Sequence, residues 1–260
     1  MKGDLLMKEL EPRILAFLCN WAGYAAYDLA GTKHLQLPPI LEVRVMCTGR
    51  VDPLQLIEAF LNGFDGVMLV GCRKGECRYE NGNYYAERRI HWLRKALQHI
   101  GVHPDRLYCD WIGADEEQAF KGAMERFSVK ISSLGKLGKA NGIEKEKLDS
   151  RLKALKETFA GERIRWLTGK DLEMSGRTDV FGSPMSASVF EKEVMDIFRN
   201  EYQRSSILVA SEDAARSVVE IANITALSSE NVMQEIIVLK RLGKLNLEGV
   251  VEGVPKYKRT

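Results

Sequence analysis

The chain has 260 residues, of which 45% are hydrophobic and 28% are charged, and this balance is typical of a folded globular protein. Its 38 basic and 36 acidic residues give a net charge of +2, which provides no general attraction for nucleic acid. No apolar segment approaches the roughly 20 residues of a membrane span, and the charged start is unlike a signal peptide. We therefore expect a cytoplasmic protein without a membrane segment.

The first half of the chain alternates short apolar segments with longer amphipathic ones. Parallel strands need crossover connections, and helices provide them. The alternation therefore predicts an open, mostly parallel α/β sheet with helices on both faces. We predict strands at 14–18, 41–46, 66–71 and 106–113. We predict helices at 20–30, at 53–62 after an Asp52 cap, at 83–100, and beyond 113 after an Asp115 cap.

The rest of the chain has a different pattern. A turn-rich, charged stretch enters a helix and is followed by a Gly/Ser-rich linker near 174–186. Beyond it we predict helices at 190–202, 213–223 and 229–242, a short strand at 206–210 and a terminal hairpin. Three helices and a hairpin favour a C-terminal winged-helix-like α+β domain. The predicted domains are 1–135 (α/β domain), 136–186 (helical and linker segment) and 187–260 (winged-helix-like domain).

The C-terminal domain is predicted to dock protein, with nucleic acid an unlikely partner. Residues 187–260 contain 10 Lys/Arg and 11 Asp/Glu, a balance of −1. Phosphate contacts by basic residues dominate DNA affinity, and this balance does not supply them. A winged helix is a fold and does not by itself define a function.

Four of the five cysteines, Cys19, Cys47, Cys72 and Cys77, lie at or just beyond the ends of three predicted strands. Ligands of open α/β sheets bind beyond the carboxyl ends of the strands, so the four thiols can converge. In the cytoplasm such thiols are metal ligands or redox groups more often than disulfides. Any one of them could equally be a small buried core residue. Cys109 lies within the fourth strand and is expected to pack without binding metal.

Four thiolates suit either tetrahedral zinc or an iron–sulfur cluster, and neighbouring residues favour the cluster. Gly49, Gly71 and Gly75 would let the backbone approach inorganic sulfide and donate N–H hydrogen bonds. Arg50, Arg73 and Lys74 would offset the negative charge of a thiolate-bound cluster. The paired CxxC motifs of structural zinc sites do not occur in the sequence.

Four motifs, CNWAGYAAYDLAG, RVMCTGRVDP, DGVMLVGCRKGECRYENGN and WIGADEEQAF, closely resemble the delta subunit of methyl-viologen-reducing hydrogenase. The resemblance covers roughly the first half of the chain. It implies a 2Fe-2S protein that relays electrons between an oxidoreductase and a flavin-containing heterodisulfide reductase A-like subunit. The oxidoreductase partner would be a hydrogenase, a formate dehydrogenase or another enzyme of anaerobic metabolism. The protein itself would not catalyse a substrate reaction.

The sequence departs from the family where CNWC is usual, because Ala22 replaces the second cysteine. Cys19, Cys47, Cys72 and Cys77 remain, and they are enough for one 2Fe-2S cluster. Tyr79, Tyr84, Tyr85 and Trp92 are candidates either to flank the cluster or to pack in the core. Two other functions stay open at this point. One is a redox-responsive iron–sulfur DNA-binding regulator, and the other is a zinc-stabilised interaction protein.

Overall fold

The computed structural model describes residues 12–139, 142–174 and 186–260. The chain divides into two compact units, which are described separately. The first comprises Met1–Lys145 and Thr168–Met174, and the second comprises Glu146–Leu167 and Ser175–Thr260. The predicted three-part division stays a prediction. The predicted linker and the charged N-terminal segment lie mostly outside the described residues.

The first unit is built around a four-stranded parallel sheet. Its strands are β1 (Ile14–Cys19), β2 (Leu41–Val45), β3 (Gly66–Gly71) and β4 (Leu107–Trp111). They lie in the order β2-β1-β3-β4, and every pair of neighbours is parallel. The predicted α/β class is confirmed. Because the strands are parallel, their carboxyl ends all lie at one edge of the sheet.

Four helices cover both faces of this sheet: α1 (Gly23–Thr32), α2 (Pro53–Leu61), α3 (Gly82–His99) and α4 (Glu117–Leu134). All six residues of β3 are buried. Met68 and Val70 pack with residues of α1 and α4 in one core cluster. Val67 and Leu69 alternate with them and are also buried, so they belong to the opposite face. On that face α2 contacts β3 and α3 contacts β4.

The beginnings of two helices test the predicted caps. The Asp52 carboxylate accepts a hydrogen bond from the Leu54 N–H at 2.9 Å, and the Gln55 side chain accepts one from the Asp52 N–H at 3.0 Å. These two bonds form a capping box, so the predicted start of α2 is confirmed. The predicted Asp115 cap is wrong. The residue before α4 is Glu116, whose side chain does not cap the helix because its carboxylate accepts the Gly113 N–H at 2.6 Å.

Arg106 joins β4 to two neighbouring loops. Its side chain is fully buried and donates to the carbonyl oxygens of Asp65, Leu134 and Gly135 at 2.8–2.9 Å. Arg106→Met would keep apolar volume but leave these carbonyls without a donor. We expect the free energy of unfolding to fall by about 3 kcal/mol, measured by urea denaturation. Arg126→Met, at a position 68% exposed on α4, should change it by less than about 0.5 kcal/mol. Equal losses would contradict the role of Arg106.

Within the described residues, the other α-helices are α5 (Lys145–Ala160), α6 (Glu162–Met174), α7 (Ala187–Ala210), α8 (Val218–Thr225) and α9 (Ser229–Arg241), and a hairpin is formed by β5 (Leu245–Val251) and β6 (Val254–Arg259). In the second unit, α7, α8, α9 and the antiparallel β5-β6 hairpin share one buried core. The predicted terminal hairpin is confirmed, and the winged-helix identity stays a prediction. Helix α6 was not expected from the sequence. Within the described residues, no helix is long and apolar enough to cross a membrane.

The predicted strand at 206–210 is wrong, because α7 continues without a break to Ala210. Ile207 and Leu208 are buried in the core shared with α8 and α9, and the Ser206 hydroxyl donates to the Tyr202 carbonyl at 2.8 Å. The helix predicted at 213–223 begins only at Val218. Ser217 sets this start by forming a reciprocal capping box with Glu220.

Candidate metal centre

The four candidate cysteines lie at the carboxyl edge of the sheet. Cys19 ends β1, Cys47 follows β2, Cys72 follows β3, and Cys77 lies on the loop after it. Strand β1 lies between β2 and β3, so the first three cysteines come from adjacent strands. The parallel topology therefore brings together thiols that are as many as 53 positions apart in the chain.

The thiols are arranged as two close pairs. The Sγ atoms of Cys19 and Cys72 are 3.6 Å apart, and those of Cys47 and Cys77 are 3.8 Å apart. Cys77 also packs against the buried cluster formed by Cys19, Ala22 and Cys72, so the two pairs adjoin. In the described part of the chain, no group of three or more His, Cys, Asp or Glu side chains is placed to hold a single metal ion. The four thiols are thus arranged as two pairs.

Two glycines allow the Cys47–Cys77 pair to form. The Gly49 N–H donates to Cys47 Sγ at 3.4 Å, within a short 3-10 turn at Thr48–Arg50. A Cβ on Gly49 would lie 2.7 Å from the Gly82 Cα, and a Cβ on Gly82 would lie 2.4 Å from Cys47 Sγ and 3.3 Å from Cys77 Sγ. Gly82, the first residue of α3, is therefore part of the site, and the sequence analysis missed it.

Two helices begin at the thiols without a side-chain cap. Helix α1 begins beside Cys19 and α3 begins beside Cys47, and neither has a capping side chain or an acidic residue in its first turn. By contrast, α2, α7, α8 and α9 are capped by Asp52, Ser186, Ser217 and Ser228. The free N–H groups and the positive end of the helix dipole therefore favour negative charge on the thiols.

In the buried Cys19–Cys72 pair, the surroundings favour loss of a proton from Cys19. The pKa of Cys19 is lowered to about 6, first by its hydrogen bond with Cys72 and then by the nearby backbone N–H groups of Trp21, Ala22 and Thr48, which together outweigh the opposing effect of burial. The same bond raises the pKa of Cys72. Burial raises the pKa of Cys47 to about 11. A bound metal ion would displace the remaining protons, because thiolates are the ligands.

The other predicted site residues have varied surroundings. A Cβ on Gly71 would lie 2.6 Å from the Trp111 ring, so this glycine serves packing of the sheet edge. Gly75 has a φ of +86° and open space around it, so it serves the turn. Arg73 forms an ion pair with Glu116 at 2.5 Å, which already compensates its charge. Arg50 is exposed and has no ion pair within the described segments. Whether these residues contact a cluster stays a prediction.

Three further positions can now be placed. Cys109 lies within β4, and burial raises its pKa to about 11. Ala22 is 3% exposed and packs against Cys19 and Cys72, so its methyl group occupies the place beside this pair where the motif usually has a thiol. Trp92 is a core residue that donates to the buried Asp171 carboxylate at 2.9 Å. Tyr79 and Tyr85 instead line a cavity beside Cys47.

Comparison with known proteins places this site in a family context. The family model described as methyl-viologen-reducing hydrogenase, delta subunit, matches residues 14–135. That range contains the whole parallel sheet and all five cysteines. It ends before the second unit begins.

Three relatives illustrate the match. The D-type iron-sulfur subunit of the F420-non-reducing hydrogenase of Archaeoglobus profundus is 42% identical over 131 residues, which are 50% of this chain and 96% of the relative. The corresponding vhc iron-sulfur subunit of Methanococcus voltae is 40% identical over 126 residues, 48% of this chain and 88% of the relative. The A-type subunit of the ferredoxin/F420H2-dependent CoB-CoM heterodisulfide reductase of Methanosarcina acetivorans is 40% identical over 128 residues, 49% of this chain but only 16% of the relative.

Proposed function

This chain belongs to the family of methyl-viologen-reducing hydrogenase delta subunits, and we propose that it is a 2Fe-2S electron-transfer subunit. It would relay electrons between an oxidoreductase partner and a heterodisulfide reductase A-like flavoprotein subunit. Cys19, Cys47, Cys72 and Cys77 would hold the cluster. The relatives that are matched over nearly their whole length, 88–96% of it, are named as iron-sulfur subunits, which supports an iron–sulfur cofactor.

The observation that carries the cluster type is the spacing of the thiols. Two sulfur ligands on one tetrahedral metal, each at about 2.3 Å, are about 3.8 Å apart. The two thiol pairs have Sγ separations of 3.6 and 3.8 Å. Each pair therefore has the spacing needed on one iron, and two adjoining pairs provide for two irons. This supports a 2Fe-2S cluster over a single tetrahedral zinc ion.

The chain's own residues would bind and tune this group. When bound, a 2Fe-2S cluster takes up and releases one electron at a time. The backbone N–H of Gly49 donates to Cys47, and the backbone N–H groups of Trp21, Ala22 and Thr48 lower the pKa of Cys19 and so favour negative charge on it. Such hydrogen bonds stabilise the negative charge that accompanies reduction, so they favour a higher reduction potential. Burial of Cys19 and Cys72 keeps water from their side of the site.

The partners are proposed from the relatives. The heterodisulfide reductase protein of Methanosarcina acetivorans carries a region similar to this domain within its own much longer chain. Covalent fusion of this kind supports contact between the delta-type domain and a heterodisulfide reductase A-like protein in other assemblies. The D-type relatives belong to hydrogenases, so a hydrogenase is the first candidate for the second partner. A formate dehydrogenase is another. We place the relay in the cytoplasm, where free thiols stay available for iron.

The second unit is proposed to dock protein rather than DNA. On α9, the helix that would enter the DNA groove in a winged helix, Met233 and Ile237 are more than 40% exposed, and Leu242 beyond it is 60% exposed. The hairpin adds exposed Val250 and Val251. Apolar side chains cannot pair with phosphates, whereas they suit a protein interface. These exposed residues favour the relay over the redox-responsive DNA-binding regulator.

Anaerobic purification of the full chain tests the cluster directly. We expect about two iron ions and two acid-labile sulfides per chain, visible absorption that bleaches with dithionite, and an electron paramagnetic resonance signal after uptake of one electron. A colourless protein with stoichiometric zinc and no sulfide would overturn the proposal in favour of a zinc-stabilised interaction protein. A signal that requires four irons would overturn the cluster type.

A further inference from the structure

A cavity of about 430 Å³ opens beside the Cys47–Cys77 pair. Cys47 lines the cavity, together with Met46, Arg50, Tyr79, Tyr85 and Arg89. Cys19 and Cys72 are not among its lining residues and lie buried in their own cluster. Of the four candidate thiols, only Cys47 lines this cavity, which another molecule could fill.

The cavity has uncompensated positive charge. No Asp or Glu within the described residues lines it. Arg89 donates to the Gly49 carbonyl at 2.6 Å, and Arg50 is exposed, so neither guanidinium is paired with a described carboxylate. An arginine that already contacts the backbone beside Cys47 is held in place for an incoming anion.

Two more arginines extend this charge around the thiols. Arg78 stacks over the Trp21 ring at 4.5 Å, and Arg44 stacks over Tyr24 at 4.5 Å. Neither forms an ion pair with a described carboxylate, whereas many cations elsewhere in the first unit do, for example Lys33 with Glu117. Two carboxylates near Arg44 and Arg78 in the sequence, Glu42 and Glu80, also lack an ion pair within the described residues. Four arginines against two carboxylates leave the surroundings of the site positive.

The same surface exposes apolar and aromatic side chains. Met46 is 50% exposed, Tyr79 is 51% exposed and Trp21 is 39% exposed. Methionine, aromatic residues and arginine are the residue types enriched in the energetically important parts of protein interfaces. The surface around the cavity thus has the composition of a protein-binding site, and its charge selects an acidic partner.

We infer that this cavity is the port at which an electron-exchange partner docks, through an acidic face that surrounds the partner's own redox centre. The inference rests on the proposed function and names the docking surface for it. One electron would pass by way of Cys47 between the two centres: the donor is oxidised by one electron, the acceptor is reduced by one, and no proton moves. Arg50 and Arg78 attract the partner, and Met46 and Tyr79 pack against it.

Oxidation of the reduced full-length protein by small charged probes tests the port. Ferricyanide, an anion, and tris(phenanthroline)cobalt(III), a cation, each take one electron and become ferrocyanide and the cobalt(II) complex. We expect the double variant Arg50→Glu, Arg78→Glu to react at least about tenfold more slowly with ferricyanide at low ionic strength, and faster with the cobalt complex. Both differences should shrink at high salt, because salt screens exposed charges. Reduction of the double variant by a small acidic ferredoxin should be slowed, as its oxidation by ferricyanide is.

Arg126→Glu on α4 is the control for one reversal: it changes the net charge by −2, against −4 in the double variant, at an exposed position that does not line the cavity. We expect it to alter the ferricyanide rate less than about twofold. Iron content is measured first in every protein, and absence of a cluster from the unmodified chain counts against the proposed function and not against the port. Equal effects of the control and the double variant would overturn the port. So would saturable binding of free FMN that is lost in the double variant, because the cavity would then be a nucleotide site.

Discussion

Replacing Gly82 by alanine is expected to abolish assembly of the cluster while leaving the fold intact. The added Cβ would lie 2.4 Å from Cys47 Sγ and 3.3 Å from Cys77 Sγ, far inside van der Waals contact. Cys47 can escape only by rotating its thiol away, and rotation takes that sulfur out of its place as a ligand. Alanine is also a better helix former than glycine at the start of α3, so secondary structure should not suffer.

The measurement is iron and acid-labile sulfide per chain after anaerobic purification, together with circular dichroism in the far ultraviolet. Gly31→Ala is the control, because Gly31 lies in α1 and a Cβ there meets no atom within 4 Å. That variant should keep its iron and be stabilised by roughly 0.5–1 kcal/mol. A Gly82→Ala protein that retains full iron and sulfide would show that the described positions of Cys47 and Cys77 are not those of ligands.

The architecture of the first unit is predictable from local patterns. The segment 66–71 is apolar throughout, and a strand covered by helices on both faces needs that composition. Asp52 followed by Pro53 marks a helix start because both act on the free N–H groups of the first turn. Each of these patterns involves only a few neighbouring residues, so it can be recognised without knowing the rest of the fold.

Other features depend on contacts that no local pattern contains. The apolar segment at 206–210 suits a strand as well as a buried helix, and packing against α8 and α9 decides for the helix. Asp115 and Glu116 are both acidic, and only the contact with the Gly113 N–H shows what the second one does. Propensity alone cannot separate such cases.

The site was predictable in its members but not in its arrangement. Cysteines at strand ends predict convergence, because parallel strands end at one edge. That Cys19 pairs with Cys72 and Cys47 with Cys77 depends on strand order and loop shape, which spacing along the chain does not reveal. Gly82 gave no chemical signal because its role is to have no side chain. The sequence NGN ahead of a helix is typical of an ordinary turn.

Removing any one of the four thiols is expected to abolish the cluster, whereas removing the fifth is not. We expect Cys19→Ala, Cys47→Ala, Cys72→Ala and Cys77→Ala each to lower the affinity for iron by more than the roughly 10- to 100-fold that loss of an outer hydrogen bond costs, so that little iron stays bound per chain. Alanine is preferred to serine here because a serine oxygen can still bind iron. The readouts are iron, acid-labile sulfide and visible absorption.

Cys109→Ala is the matched control, and the contrast with it decides the ligand set. Cys109 lies within β4 and belongs to neither thiol pair, so it is not placed to act as a ligand beside them. Its removal should leave the bound iron unchanged. If Cys109→Ala lost the cluster while one of the other four variants kept it, the two-by-two arrangement would be wrong. If all five variants kept it, the iron would be held elsewhere in the chain. Loss at the four paired positions alone fits two irons held by two pairs of thiols.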